Sequence, residues 1–147
     1  MQLDFSSSDF LTISYNCDTQ ILVSRWLRPV TLAEAQRGYD ELLAAARQQQ
    51  AHYWLLDIRR RSCSAPETLQ WLMNTYYETM ATELGPPVCL VYFISPDLCR
   101  DFEVDGAIPK PESYAGKPFR LNQCTTEAES LAWLMQEQQQ KVHVLSF

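Results

Sequence analysis

Two short segments near the start of the chain alternate between apolar and polar positions. In FLTISY (10–15), Leu11, Ile13 and Tyr15 would share one face of a strand, and ILVSRWL (21–27) follows after a turn-like polar stretch. A period of two indicates strands with one buried face, and so short a connection joins antiparallel neighbours. The pattern therefore predicts an opening β-hairpin.

Two later segments are apolar at almost every position rather than at alternate ones. They are YWLLDI (53–58) and VCLVYFI (88–94). Strands of this kind are typical of a parallel sheet that is covered on both faces. We therefore expect both segments in the centre of the sheet, and FRLNQ (119–123) as a short peripheral strand.

Three helices are predicted from capping boxes, in which a Ser or Thr caps the backbone three residues further on. The expected helices run to about residues 50, 84 and 140. The first has an apolar stripe, as expected for a helix that lies on a sheet. The capping pairs are Thr31 with Glu34, Ser64 with Glu67, and Thr126 with Glu129. The stripe consists of Leu32, Ala35, Tyr39, Leu42, Leu43 and Ala46.

The remaining segments have weaker patterns. A short helix is expected from about 95 to 102, followed by a long surface loop at 103–118 that is rich in Gly and Pro. The tail VHVLSF (142–147) is interpreted as a further strand or a loose end.

The resulting order, β-β-α-β-α-β-α-β-α, predicts an α/β fold with a five-stranded, mixed, mostly parallel sheet, or six strands if the tail adds one. Because crossovers between parallel strands are right-handed, strands in sequential order would place every helix on one face. The second face of 53–58 and 88–94 would then need another cover. The candidates are the N-terminal residues, the long loop or a second copy of the chain.

The element order, with an acid (Asp57) at the end of the central strand and serines in the loop before a capped helix, resembles the STAS domain and the related SEC14-like group. The resemblance covers roughly residues 11–135. It implies a (βα) superhelix that acts as a non-catalytic regulatory, signalling or ligand-binding module. In STAS antagonists this loop carries Asp-x-Ser-Gly, whose serine a partner kinase phosphorylates. Here no glycine follows Ser62 or Ser64, so the motif is broken. Ser64 fits a helix N-cap better, which leaves Ser62 as the candidate for phosphorylation.

The same loop is the candidate binding site. Arginines at the carboxyl end of a central strand and before a helix N-terminus can receive a phosphate or carboxylate. The alternative is that Arg59 pairs with Asp57 while the other arginines are solvated. The predicted binding residues are Arg59, Arg60, Arg61, Ser62, Cys63 and Ser64.

Five cysteines without a C-x-x-C pair predict reduced thiols, with Cys89 a small buried side chain. Cys63, beside arginines and a helix start, has the surroundings that stabilise a thiolate. Its alternatives are an incidental thiol or a redox sensor. No base lies near it in the sequence, and we predict no catalytic residue, no metal and no other cofactor.

Two tryptophans lie off the apolar stripes of their helices. Trp71 is expected to project away from the stripe of the second helix, and Trp133 away from Leu131, Leu134 and Met135 on the last. Large aromatic side chains outside a core often anchor interfaces. Both are therefore predicted interface residues, with cover by the long loop or the tail as the alternative.

Composition and charge narrow the function classes. The chain of 147 residues is 46% hydrophobic, as expected for one packed domain over 1–147. Its formal charge of −6 disfavours binding to nucleic acid. The first ten residues lack the pattern of a leader peptide, and no apolar run is long enough to span a bilayer, so we expect a cytoplasmic protein.

These features predict a non-enzymatic, STAS-like regulatory or protein-interaction domain that binds a protein partner or forms a homodimer. The second hypothesis is a module for a small anionic molecule or lipid, closed by the loop 103–118. A cysteine-dependent enzyme that uses Cys63 is the third.

Overall fold

The structure is a computed structural model that describes residues 2–60, 66–85, 87–95 and 119–145. Six described strands form one sheet in chain order, β1 to β6. The first three pair antiparallel, and β3 to β6 pair parallel. The strands are β1 (Gln2–Ser7), β2 (Leu11–Asn16), β3 (Ile21–Trp26), β4 (Tyr53–Asp57), β5 (Val88–Phe93) and β6 (Phe119–Cys124). The prediction of a mixed α/β sheet, antiparallel at first and then parallel, is confirmed.

The opening hairpin formed by β2 and β3 is also confirmed. The side-chain amide oxygen of Asn16 accepts hydrogen bonds from the backbone N–H groups of Asp18 and Thr19. Gln20 then adopts a left-handed conformation with φ of 60°. Asn stabilises turns through such local bonds to the backbone, which explains the reversal at this point.

The sixth strand is β1 and not the tail. β1 pairs antiparallel with β2 through an irregularity between Asp4 and Ser6. A bulge of this kind interrupts the alternation of faces along a strand. In the sequence QLDFSS the alternation of polar and apolar residues extends over only four positions, Gln2 to Phe5, so the strand signal is short. The expectation of a strand or a loose end in the tail is wrong as far as Leu145, because the last helix continues to that residue.

Helix α1 (Leu32–Gln49) connects β3 to β4 and begins as predicted. Thr31 Oγ1 accepts from the backbone N–H of Glu34, and the Glu34 carboxylate accepts from the backbone N–H of Thr31. The predicted stripe is buried except for Leu32, which is 38% exposed.

The connection from β4 to β5 contains helix α2 (Pro66–Trp71), a π-helical turn (Leu72–Tyr76) and helix α3 (Tyr77–Leu84). A π-turn bonds each N–H to the carbonyl five residues back and so holds one more residue than an α-turn. Side chains on either side of it are rotated relative to their positions on a continuous α-helix. Leu72, Tyr76, Met80 and Leu84 are buried in this segment.

Two apolar cores lie on opposite faces of the sheet. The first contains the side chains beneath α1 and the α2 to α3 segment, including Trp54, Leu90 and Tyr92. The second contains Tyr53, Leu55, Cys89, Val91 and Phe93 of β4 and β5, together with Ile21 and Leu134. As predicted, every residue of β4 and β5 is buried.

Helix α4 (Glu127–Leu145) covers the second face. Leu134 is fully buried there, and Leu131 and Trp133 pack beside it. The expectation that every helix lies on one face is therefore wrong. α4 follows β6 and does not connect two described strands, so the handedness rule for crossovers does not determine its face.

Buried tyrosines occupy the first core beside α1. The ring of Tyr39 contacts Trp26, and the ring of Tyr77 contacts Phe119. The hydroxyl oxygen of Tyr92 lies 2.5 Å from that of Tyr77 and 3.3 Å from that of Tyr39. Burial, and then the neighbouring phenols, hold the pKa of Tyr92 well above its usual value. Because these hydroxyls bond one another inside the core, they satisfy their polar groups without water.

Several predicted segments lie outside the described residues. They are the loop from Arg61 to Ala65, the short helix and long loop predicted between 96 and 118, and the last two residues. Within the described ranges, none of the helices is both long and apolar enough to cross a membrane.

Candidate functional site

Charged side chains converge where β3 and β4 end. Arg25 of β3 and Asp57 of β4 are directly paired in the parallel register, and Phe93 of β5 is paired with Asp57 on the other side. Residues at paired positions point to the same face of a sheet. All three therefore lie on the face that α4 covers, at the carboxyl edge where open α/β sheets hold their sites.

The Asp57 carboxylate is buried and accepts four hydrogen bonds. Its Oδ1 accepts from Nε of Arg59 at 2.9 Å and from the backbone N–H of Arg59 at 3.2 Å. Its Oδ2 accepts from Nη2 of Arg59 at 2.8 Å and from Nη1 of Arg25 at 2.9 Å. A carboxylate has about four lone-pair positions, so the acceptor capacity of Asp57 is full.

These bonds keep Asp57 ionised. Burial by itself raises the pKa of a carboxyl group, but the hydrogen bonds from Arg59, from its backbone and from Arg25 outweigh it and lower the pKa of Asp57 below its usual value. The bond to Asp57 in turn raises the pKa of Arg59. Asp57 thus acts as an anchor for two guanidinium groups.

Each anchored arginine has a second contact. The guanidinium of Arg59 lies over the ring of Phe93, with its carbon 4.2 Å from the ring centroid. This cation–π contact fixes the plane of the guanidinium. Arg25 donates from Nη2 to Oε1 of Glu127, the first residue of α4, at 2.8 Å. The side chain of Glu127 is 47% exposed.

An open cavity of about 310 Å³ lies at this edge, and we call it the carboxyl-edge pocket. Among the residues that the structure describes, its lining contains three arginines and two acids, one more positive than negative charge. Arg60 is exposed and makes no ion pair with the residues that the structure describes. The lining residues are Arg25, Trp26, Leu27, Asp57, Arg59, Arg60, Phe93 and Glu127.

The structure thus brings together part of the predicted binding loop. Arg59 pairs with Asp57, as in the alternative considered from the sequence, and Arg60 lies at the pocket. Arg61, Ser62, Cys63 and Ser64 lie outside the described residues, as does the loop 103–118 of the small-molecule hypothesis.

Sequence reasoning missed Arg25, Phe93 and Glu127. Arg25 is the one charged residue in the apolar stretch ILVSRWL, which is a usable signal for a functional position. Phe93 resembles any other core residue of β5. The position of Glu127 depends on which face α4 covers.

The two predicted interface tryptophans pack against the cores. Trp71 is partly buried, with ring centroids 5.9 Å from Tyr39 and 5.2 Å from Tyr76. The expectation that Trp71 projects away from the core is wrong, because the π-turn after it shifts the helical phase. Trp133 is also partly buried, whereas Met135 is 45% exposed. The prediction that Met135 faces the core and Trp133 faces away from it is therefore wrong. A role of either tryptophan in an interface stays a prediction.

The remaining candidate chemistry is sparse among the described residues. Cys17, Cys89 and Cys124 are reduced thiols, and Cys89 is buried as predicted. Within the described ranges, no group of His, Cys, Asp and Glu has the arrangement of a metal site. Neither protein-family models nor curated protein sequences give a match to the chain.

Proposed function

We propose that the chain is a non-enzymatic regulatory domain of the STAS-like type that docks a protein partner at the carboxyl-edge pocket. The observation that carries this proposal is the state of Asp57. Its four acceptor positions are filled by Arg25 and Arg59. A carboxylate in this state orients its neighbours. It has no free oxygen lone pair with which to accept a proton as a base or to attack a substrate as a nucleophile.

The arrangement of the sheet supports the same proposal. Strands in chain order, with helices that connect β3 to β4 and β4 to β5, agree with the (βα) superhelix that the STAS resemblance implies. The rim of the pocket combines a guanidinium fixed on an aromatic ring, Arg59 on Phe93, with the exposed Arg60. Arginine is enriched at protein interfaces, where it contributes both contact area and directed hydrogen bonds.

Affinity capture tests the proposal. The immobilised full chain is incubated with extract from the cells that produce it, and retained proteins are quantified by mass spectrometry. Arg60→Ala is compared with Arg47→Ala, which removes an exposed arginine at the end of α1, where Arg47 pairs with Glu83. We expect a protein that the native chain and Arg47→Ala retain and that Arg60→Ala loses. Equal retention of that protein by the native chain and by both variants would refute a docking role for the pocket.

A further inference from the structure

We propose that the carboxyl-edge pocket binds one carboxylate group of the partner, and that Glu127 occupies part of this position in the free chain. This inference rests on the proposed function and specifies the chemistry of the docked group. It follows from the charge of the described pocket lining, from arginine donors that no described residue engages, and from the contact that Glu127 already makes.

The charge of the pocket favours an anion. Among the described lining residues, Arg25, Arg59 and Arg60 outnumber the two acids. The carboxylate of Glu127 is the anion that Arg25 already binds at this edge, and a partner carboxylate would replace it with the same charge and the same planar geometry. A phosphate monoester carries about 1.5 to 2 negative charges at neutral pH and is tetrahedral, so it would not replace Glu127 like for like. Carboxylate is therefore the better match.

The arginines retain donors for such a group. Arg59 uses Nε and Nη2 for Asp57, and among the described residues its Nη1 has no hydrogen-bond partner. Arg60 lines the same cavity, and it makes no ion pair with any residue that the structure describes. A planar guanidinium presents paired N–H groups that match the two oxygens of a carboxylate. The anchoring by Asp57 and Phe93 holds Arg59 in place before the partner arrives, which lowers the entropy cost of binding.

Glu127 shows that a carboxylate fits at this edge. Its Oε1 lies 2.8 Å from Nη2 of Arg25, at the first residue of α4. Both side chains are more than 40% exposed, and exposed ion pairs of this kind contribute little to stability. A partner carboxylate can therefore displace Glu127 from Arg25 at low cost. Glu127 acts as an internal competitor that weakens binding of acids to the pocket.

NMR titration of the full chain with sodium acetate tests this chemistry. Backbone amides and arginine Nε–H groups are followed, and sodium chloride at equal ionic strength is the control salt. We expect saturable shifts at Arg59 and Arg60 with acetate and none with chloride. Inorganic phosphate, titrated in parallel, should bind more weakly than acetate. A response to chloride equal to that to acetate, or tighter binding of phosphate, would overturn the proposal.

Two variants with opposite expected effects make the test specific. Arg60→Ala should weaken acetate binding, and Glu127→Gln should strengthen it, each by about two- to five-fold, the effect of one exposed charge. Arg47→Ala, outside the pocket, should leave the affinity unchanged. The amide spectrum of each variant reports whether it is folded. Weaker binding by Glu127→Gln contradicts the role of Glu127 as a competitor.

The two proposals can fail separately. If Arg60→Ala abolishes capture of a protein while acetate does not bind the native chain, the docking surface stands and the carboxylate chemistry is wrong. If acetate binds as described while capture does not depend on Arg60, the pocket binds free acids and the protein-docking function is wrong.

Discussion

Gly38 of α1 lies against the indole ring of Trp26 in β3. A Cβ atom added to Gly38 would come within 2.6 Å of Cη2 of Trp26 and 2.9 Å of Cδ2 of Leu11. Because Gly38 and Trp26 are both buried, α1 and β3 cannot move apart without opening the core. Glycine at this position permits the close approach of α1 to the strand that ends at the carboxyl-edge pocket.

Gly38→Ala is therefore expected to destabilise the fold. Alanine favours a helix over glycine by about 1 kcal/mol, but overpacking a buried site costs about 1–3 kcal/mol. We expect a net loss of up to about 2 kcal/mol in the free energy of unfolding, measured by urea denaturation. Trp26→Phe removes the clashing ring atom, so Gly38→Ala should cost less in that background. A stabilising effect of Gly38→Ala in the native background would contradict the close packing.

Asp57→Asn tests the anchoring carboxylate. It replaces an acceptor of four hydrogen bonds by a group that presents its own N–H donors to Arg25 and Arg59. Charged hydrogen bonds contribute about 1.5–3 kcal/mol each, but both guanidiniums are more than 40% exposed to water. We therefore expect a total loss of about 1–3 kcal/mol at pH 7.

The pH dependence of this loss gives a second readout. The pKa of Asp57 is lower in the folded chain than the usual value of about 3.9 in an unfolded chain. Its contribution is therefore complete above that value and disappears as the pH falls through the lowered pKa. The difference in free energy of unfolding between the native chain and Asp57→Asn should become smaller from pH 7 to pH 3. Asp40→Asn, at an exposed position, is the control. An equal difference at both pH values for Asp57→Asn would be inconsistent with an ionised anchor.

Leu134→Ala tests whether α4 covers the second face. Leu134 is fully buried, whereas the adjacent Met135 is 45% exposed. Truncating a buried leucine costs about 2–5 kcal/mol, and surface substitutions usually stay within about 0.5 kcal/mol. Urea denaturation of Leu134→Ala and Met135→Ala should show this difference. Equal effects of the two substitutions would mean that α4 does not pack as described.

The central strands and the capped helices could be predicted from the sequence because their signals are local. Continuous apolar runs identified β4 and β5, and the Thr31 and Glu34 pair located the start of α1. β1 was not predicted because its alternating pattern extends over only four residues, Gln2 to Phe5, before two serines. The phase of Trp71 depends on a π-turn for which LMNTY carries no recognised signal.

The site was only partly predictable because its residues are far apart in the chain. Arg25 and Asp57 are separated by 32 residues and Arg25 and Glu127 by 102. Their contacts follow from the parallel register of β3 with β4 and from the face that α4 occupies. The position of Arg59 and Arg60 after the central strand could be read from the sequence. The contact of Glu127 could not, because the handedness of crossovers does not determine which face α4 covers.

Photo-crosslinking in the producing cells is the most direct test of the pocket as a docking surface. A p-benzoylphenylalanine at Leu27, a half-buried residue of the pocket wall, is compared with one at the exposed Thr82 of α3. We predict a covalent adduct with a second protein from position 27 and several-fold less of it from position 82. Absence of an adduct at position 27, or equal yields at the two positions, would contradict the account.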